Sequence, residues 1–168
     1  GWTSTSFLDL DNFELESNGI DFQFSCNGTD PGYQYRSTGL GGNWSGTSGH
    51  SGVVHFTGSG ITLATIKTKN GEPFDFESID FYNDYQSFGG FSYVVRVTGY
   101  KDGASVSGAT FDGNVADNQL LSTLDATAND NFNNVDEVRL SFVSGTNGAV
   151  DWTYHGLDNF TWNTAVSS

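Results

Sequence analysis

Basic residues are scarce in this sequence. Only six of its 168 residues are Lys or Arg, against 20 Asp and Glu, for a formal net charge of −14. A phosphate backbone or an anionic bilayer would be repelled, which argues against nucleic acid and membrane surfaces as partners. Cysteine occurs once, so no internal disulfide can form. That residue, Cys26, lies in Gln23-Phe24-Ser25-Cys26-Asn27-Gly28 and has no neighbouring base, so it reads as a small apolar filler at a strand end. Methionine is absent and proline occurs twice. No apolar run approaches the ~20 residues of a membrane helix, and no segment is expected to act as a secretory leader. The expectation is a single domain over residues 1–168, excised from a larger secreted or surface protein and monomeric.

Glycine and aromatics are plentiful. The 22 Gly follow no three-residue period, which excludes collagen, and their spread suits many tight turns. Aromatics make up 15% of the chain, enough large side chains to fill a core. Apolar residues recur with period two rather than 3.6. Phe13 and Leu15 alternate with Glu14 and Glu16; Ile20, Phe22 and Phe24 alternate with Asp21, Gln23 and Ser25. Val54 and Phe56 flank His55, and Ile61, Leu63 and Thr65 form another row. Phe74, Phe76, Ile79 and Phe81 carry a phase shift near Ser78. Tyr93, Val95 and Val97, then Val138, Leu140 and Phe142, then Leu157, Phe160 and Trp162, complete the set. About eight to ten strands of this kind predict an all-β fold, a two-sheet antiparallel β-sandwich of jelly-roll type.

Lys101-Asp102-Gly103 is a hairpin signal, and Asn70-Gly71 is a second turn signal. Leu120 to Leu124 is the nearest approach to a helical turn. Two stretches, Asn27 to Gly52 and Asp112 to Asn134, read as long loops, and loops of that length are commonly functional or tied by metal.

Two acidic segments stand at the chain ends: Leu8-Asp9-Leu10-Asp11-Asn12-Phe13-Glu14 and Gly156-Leu157-Asp158-Asn159-Phe160-Thr161-Trp162. If the end strands pair, these carboxylates converge at one edge and offer the all-oxygen shell that Ca2+ takes. An early acidic strand with a closing Leu-Asp-Asn-Phe strand resembles the calcium-bearing jelly rolls found among carbohydrate-binding modules and the ligand-binding domains of bacterial RTX adhesins. The resemblance covers the whole chain as a pattern, with the closing strand as its specific motif. It implies a structural calcium at Asp158, with Asp9 or Asp11 opposite. The stretch Phe76 to Tyr100 resembles the central strand pair of such jelly rolls. Asn83 and Asp84 then fall in the loop between the two strands, facing an ion or a ligand.

Further oxygen donors gather around Asp112, Asn114, Asp117 and Asn118, with Asp112 and Asp117 as candidate calcium ligands, although the EF-hand pattern is absent. Exposed aromatics in glycine-rich stretches make platforms for sugar rings or peptide side chains. Tyr33 and Trp44 form one such group, and Trp152 and Tyr154 form another. The expected ligand site therefore comprises Tyr33, Trp44, Asn83, Asp84, Trp152 and Tyr154. No HExxH spacing, nucleophile elbow or phosphate-binding loop is present, so a binding role is expected rather than an enzymatic one. The expected function is a calcium-dependent module binding a glycan or peptide outside the cell or on a bacterial surface. A carbohydrate-binding module of a polysaccharide-degrading enzyme, or a small glycoside hydrolase or lyase, stays open as the alternative.

Overall fold

In a computed structural model of the protein, the described residues are 3–4, 13–17, 19–27, 29–36, 53–59, 61–83, 92–115, 121–145 and 155–165. They form twelve strands. β1 is Thr3–Ser4, β2 Phe13–Ser17, β3 Ile20–Cys26, β4 Thr29–Arg36, β5 Val53–Ser59 and β6 Leu63–Thr68. β7 is Phe74–Asn83, β8 Tyr93–Lys101, β9 Ala104–Val115, β10 Leu121–Asp125, β11 Glu137–Gly145 and β12 His155–Thr164. In β1, β2, β4 and β5, and at residues 82–83, 121, 155–156 and 158, the description is of the backbone alone.

The strands make two antiparallel sheets. One has seven strands in the order β1-β2-β3-β6-β11-β8-β9, the other five in the order β10-β7-β12-β5-β4. From β5 to β12 the chain changes sheet at every connection except the β8–β9 hairpin. The resulting orders, β5-β12-β7-β10 over β6-β11-β8-β9, are the two sheets of an eight-stranded jelly roll. β4 extends one sheet beyond β5, and β3, β2 and β1 extend the other beyond β6.

The inner faces meet in one aromatic core. Phe22 of the seven-stranded sheet meets Phe74, Phe160 and Trp162 of the other sheet edge to face, at centroid distances of 5.3, 5.1 and 5.2 Å. This geometry suits the quadrupoles of aromatic rings. Val95, Val97, Val138, Leu140, Ile79, Phe81 and Leu157 belong to the same buried layer. Cys26 ends β3 and is half-buried against this core.

Local sequence explains most of these elements. The β8–β9 hairpin turns on Asp102 and Gly103, both at positive φ (50° and 78°), as a two-residue primed turn requires. Asn70-Gly71 also turns the chain, with Gly71 at φ 74°, but it carries the chain from one sheet to the other instead of closing a hairpin. On β12 two residues, Asn159 and Phe160, stand opposite Ile79 alone, and Asn159 adopts φ 48°. One step further, Glu77 is the extra residue on β7. These facing bulges turn Phe160, Trp162, Phe76 and Phe74 inward.

Several expectations are corrected. The terminal strands do not pair: β1 and β2 form an edge of one sheet, while β12 is central in the other. β7 and β8 likewise lie in different sheets and do not form a central pair. The stretch from Asn27 to Gly52 contains β4. Its Pro31 and Gly32 look like loop residues but sit on an edge strand, where a missing N–H is tolerated. The stretch from Asp112 to Asn134 contains the end of β9, all of β10 and a 3-10 turn over Asp130–Phe132. Residues Leu121 to Leu124 are strand, not helical turn. After Ile61 the buried phase passes to Ala64, Ile66 and Thr68, so Leu63 and Thr65 face outward. No helix among the described residues is long and apolar enough to cross a membrane.

Candidate functional site

The five-stranded sheet is the acidic side of the sandwich. Its strands contain six carboxylates and one basic residue, Arg36; those of the seven-stranded sheet contain five and four. On the outer face of the five-stranded sheet the carboxylates are held by neutral donors. The Asp80 carboxylate accepts from Thr123 Oγ1 at 2.6 Å and from Asn159 Nδ2 at 2.7 Å. The bulge in β12 delivers the second of these donors, because the left-handed backbone at Asn159 swings its amide towards Asp80. Glu77, the bulged residue of β7, accepts from the Asn163 amide. Asp75 accepts from the Asn134 backbone N–H at 2.7 Å. Asp125 accepts from both the N–H and the hydroxyl of Thr127, which holds its carboxyl below the usual range. Asp158 is the register partner of Asp80.

At one end of this sheet, Asn83 closes β7 and pairs in register with His155, which opens β12. Asp84 follows Asn83 in sequence, and Tyr154 precedes His155. The described parts of β7 and β12 therefore end at the same level, at Asn83 and His155. His155 also pairs with Phe56 of β5, and Phe56 with Tyr33 of β4. Tyr33 and Asn83 thus share one cross-strand row, Tyr33–Phe56–His155–Asn83.

Other expected residues fall elsewhere. Asp112 lies in β9 on the seven-stranded sheet, where both its oxygens meet Arg96: Nε at 2.7 Å and Nη2 at 2.9 Å. This pairing lowers the Asp112 carboxyl from its usual range and raises the guanidinium. Arg96, Thr110, Phe111 and Asp112 line an open depression of about 330 Å³ there. Asp9, Asp11, Trp44, Asp84, Asp117, Trp152 and Tyr154 lie outside the described residues. Residues 37–52, which include Trp44, connect Arg36 to Val53, next to the β12 residue Leu157 rather than the His155 end. Among the described residues no three His, Cys, Asp or Glu side chains gather as a metal cage.

Asp80, Thr123, Glu77 and Asn163 were not among the expected site residues. Their sequence signal is the outward alternation of Asp75, Asp80, Thr123 and Asn163 beside buried aromatics. Their mutual bonds depend on the register across β10, β7 and β12, which no local pattern encodes.

Fold and surface together define a jelly-roll β-sandwich with one acidic, amide-rich face. No family model and no curated protein matches the chain. Among solved structures it is similar to a DUF4465 family protein from Bacteroides caccae, at 14% identity and TM-score 0.52 over 98% of this chain and 99% of that one. A DUF4465 family protein from Bacteroides ovatus aligns over 96% of this chain and 93% of that one at 12% identity, with TM-score 0.48. The first likeness is one of β-sandwich fold.

Proposed function

We propose that this protein is a calcium-dependent ligand-binding module of an extracellular or bacterial surface protein, taking a glycan or a peptide. The observation that supports it best is the register pairing of Asn83 with His155. Asp84 follows Asn83 in sequence and Trp152 to Tyr154 precede His155, so segments rich in oxygen donors and aromatic rings are tethered to two paired residues of the acidic sheet. Tyr33 lies in the same cross-strand row. Calcium takes carboxylate, amide and carbonyl oxygens, and an open coordination position accepts sugar hydroxyls or a peptide carboxylate. An aromatic wall adds apolar contact at little entropic cost.

The test is binding of the isolated domain to a glycan array and a peptide library, with calcium and with chelator. Calcium-dependent binding is expected, and the melting temperature should rise with calcium as mass action requires. Asp84→Ala should abolish binding while the domain stays folded. Trp152→Ala should weaken it by roughly 1–3 kcal/mol, as truncating an aromatic anchor does. Binding and melting that ignore chelator would overturn the calcium part. Parental binding by both variants would overturn the site, and polysaccharide turnover would favour a hydrolase or lyase.

A further inference from the structure

The sequence contains four Asn-Gly pairs: Asn18-Gly19, Asn27-Gly28, Asn70-Gly71 and Asn147-Gly148. Glycine after asparagine leaves the following backbone nitrogen unshielded, because no Cβ blocks its approach to the side-chain amide. Whether the reaction between them proceeds in a folded chain depends on how firmly that amide is held. Asn27 and Asn70 are both described, and they differ sharply. Asn27 Oδ1 accepts from the backbone N–H groups of Thr62 and Leu63, each at 2.8 Å, and its Nδ2 donates to Thr62 Oγ1 at 2.8 Å. This amide is clamped on three sides. Asn70 is exposed, and its side chain has no hydrogen-bond partner among the described residues. Gly71 is exposed too, and a Cβ built on it would meet nothing within 4 Å. The turn is pinned at its base, where Thr68 Oγ1 donates to Glu72 O at 2.8 Å and the Lys69 N–H donates to Asp21 O at 2.8 Å. Asn70 and Gly71 project from that base.

We propose that Asn70 is a site of spontaneous deamidation in the folded protein, whereas Asn27 is protected. The Gly71 backbone nitrogen attacks Asn70 Cγ. A Cγ–N bond forms, the Cγ–Nδ2 bond breaks, and the former amide leaves as ammonia with the Gly71 proton. Water then opens the cyclic imide at either carbonyl to give aspartate or isoaspartate. No oxidant or other reagent is needed. Both products add a negative charge to an already acidic chain. Isoaspartate also inserts a methylene into the main chain of the turn that joins the two sheets.

The experiment is prolonged incubation of the folded domain at mildly alkaline pH, followed by peptide mapping. The Asn70 peptide should become one mass unit heavier and split into aspartate and isoaspartate forms. The Asn27 peptide should react on the order of tenfold more slowly, since three hydrogen bonds must open first. In urea the two should react at similar rates, and Asn70→Gln should remove the fast component from the folded protein. An Asn27 rate equal to that of Asn70 in the folded chain overturns the proposal. So does an unmodified Asn70 over a period in which the urea-unfolded chain reacts.

Discussion

The two outer faces of the sandwich settle their carboxylates in different ways. On the seven-stranded sheet, acids meet guanidinium groups: Asp112 with Arg96, and Glu137 with Arg139, whose guanidinium also lies 3.8 Å over the Tyr100 ring. On the five-stranded sheet, acids meet amides and hydroxyls: Asp80 with Asn159 and Thr123, Glu77 with Asn163. A guanidinium cancels charge; an amide satisfies lone pairs and leaves the charge in place. The excess negative charge of the strands is therefore concentrated on one face, where an added cation meets the larger field.

Substitutions at four positions test this contrast, and the largest effect lies where the faces share a core. Phe22→Ala removes the ring that touches Phe74, Phe160 and Trp162, and should cost about 3–5 kcal/mol in urea unfolding. If the sheets are one cooperative unit, probes on both faces lose structure together; separate transitions would mean that they do not stand or fall as a pair. Gly113→Ala comes next. A Cβ on Gly113 would lie 2.4 Å from Leu124 Cδ2, at the corner where edge strands β9 and β10 meet. A loss of roughly 1–3 kcal/mol is expected from that overpacking, and unchanged stability would show a corner loose enough to yield.

Asn159→Ala loses the amide bonded to Asp80 and forces alanine into a left-handed backbone, which costs roughly 1–2 kcal/mol. Asn159→Gly should cost less, because glycine accepts that backbone freely. Equal losses would assign the whole effect to the hydrogen bond. The smallest effect belongs to Arg96→Ala, since the ion pair with Asp112 is exposed and its melting temperature should hardly move. The titration of Asp112 should move, however. Hydrogen bonding to Arg96 depresses the folded-state pKa of this carboxyl. Its contribution to stability is complete above the ordinary Asp range and is lost as pH falls through the depressed folded value. In Arg96→Ala, carbon-detected NMR should find Asp112 titrating closer to the ordinary range.

Sequence and structure agree where burial is strong and local. The spacing Phe74, Phe76, Ile79, Phe81 announced both the inward face of β7 and its break near Ser78, because four large apolar residues cannot share a face without one extra residue. Asp102-Gly103 fixed its hairpin for a similar reason: few residues accept two positive φ angles in succession. β9 and β10 were harder to read, since Gly, Ser, Thr and Asp dominate them and burial rests on isolated residues such as Ala109 and Leu124. The Asp80 network was illegible for another reason. Its members stand 43 and 79 residues apart in sequence, and only the strand order brings them together. The same topology separates the terminal strands, whose pairing would have brought the acidic chain-end segments to one edge.

The facing bulges of β12 and β7 set a rule for how this chain can lengthen or shorten. Each strand carries one surplus residue, and the two surpluses cancel: Asp158 pairs with Asp80, and four residues later Trp162 pairs with Phe76. Excising Asn159 would leave Phe160 alone opposite Ile79, with Thr161 still on Ser78 and Trp162 still on Phe76, so Phe160 and Trp162 would keep facing inward. Excising Glu77 would likewise leave Ser78 and Phe76 with their present partners. Single-residue deletions at these two points should therefore be tolerated one at a time, whereas deleting a residue outside the bulges slides every later pair. Homologous chains should vary in length by one residue at either point independently, as slack taken out of a belt that stays on its wheels.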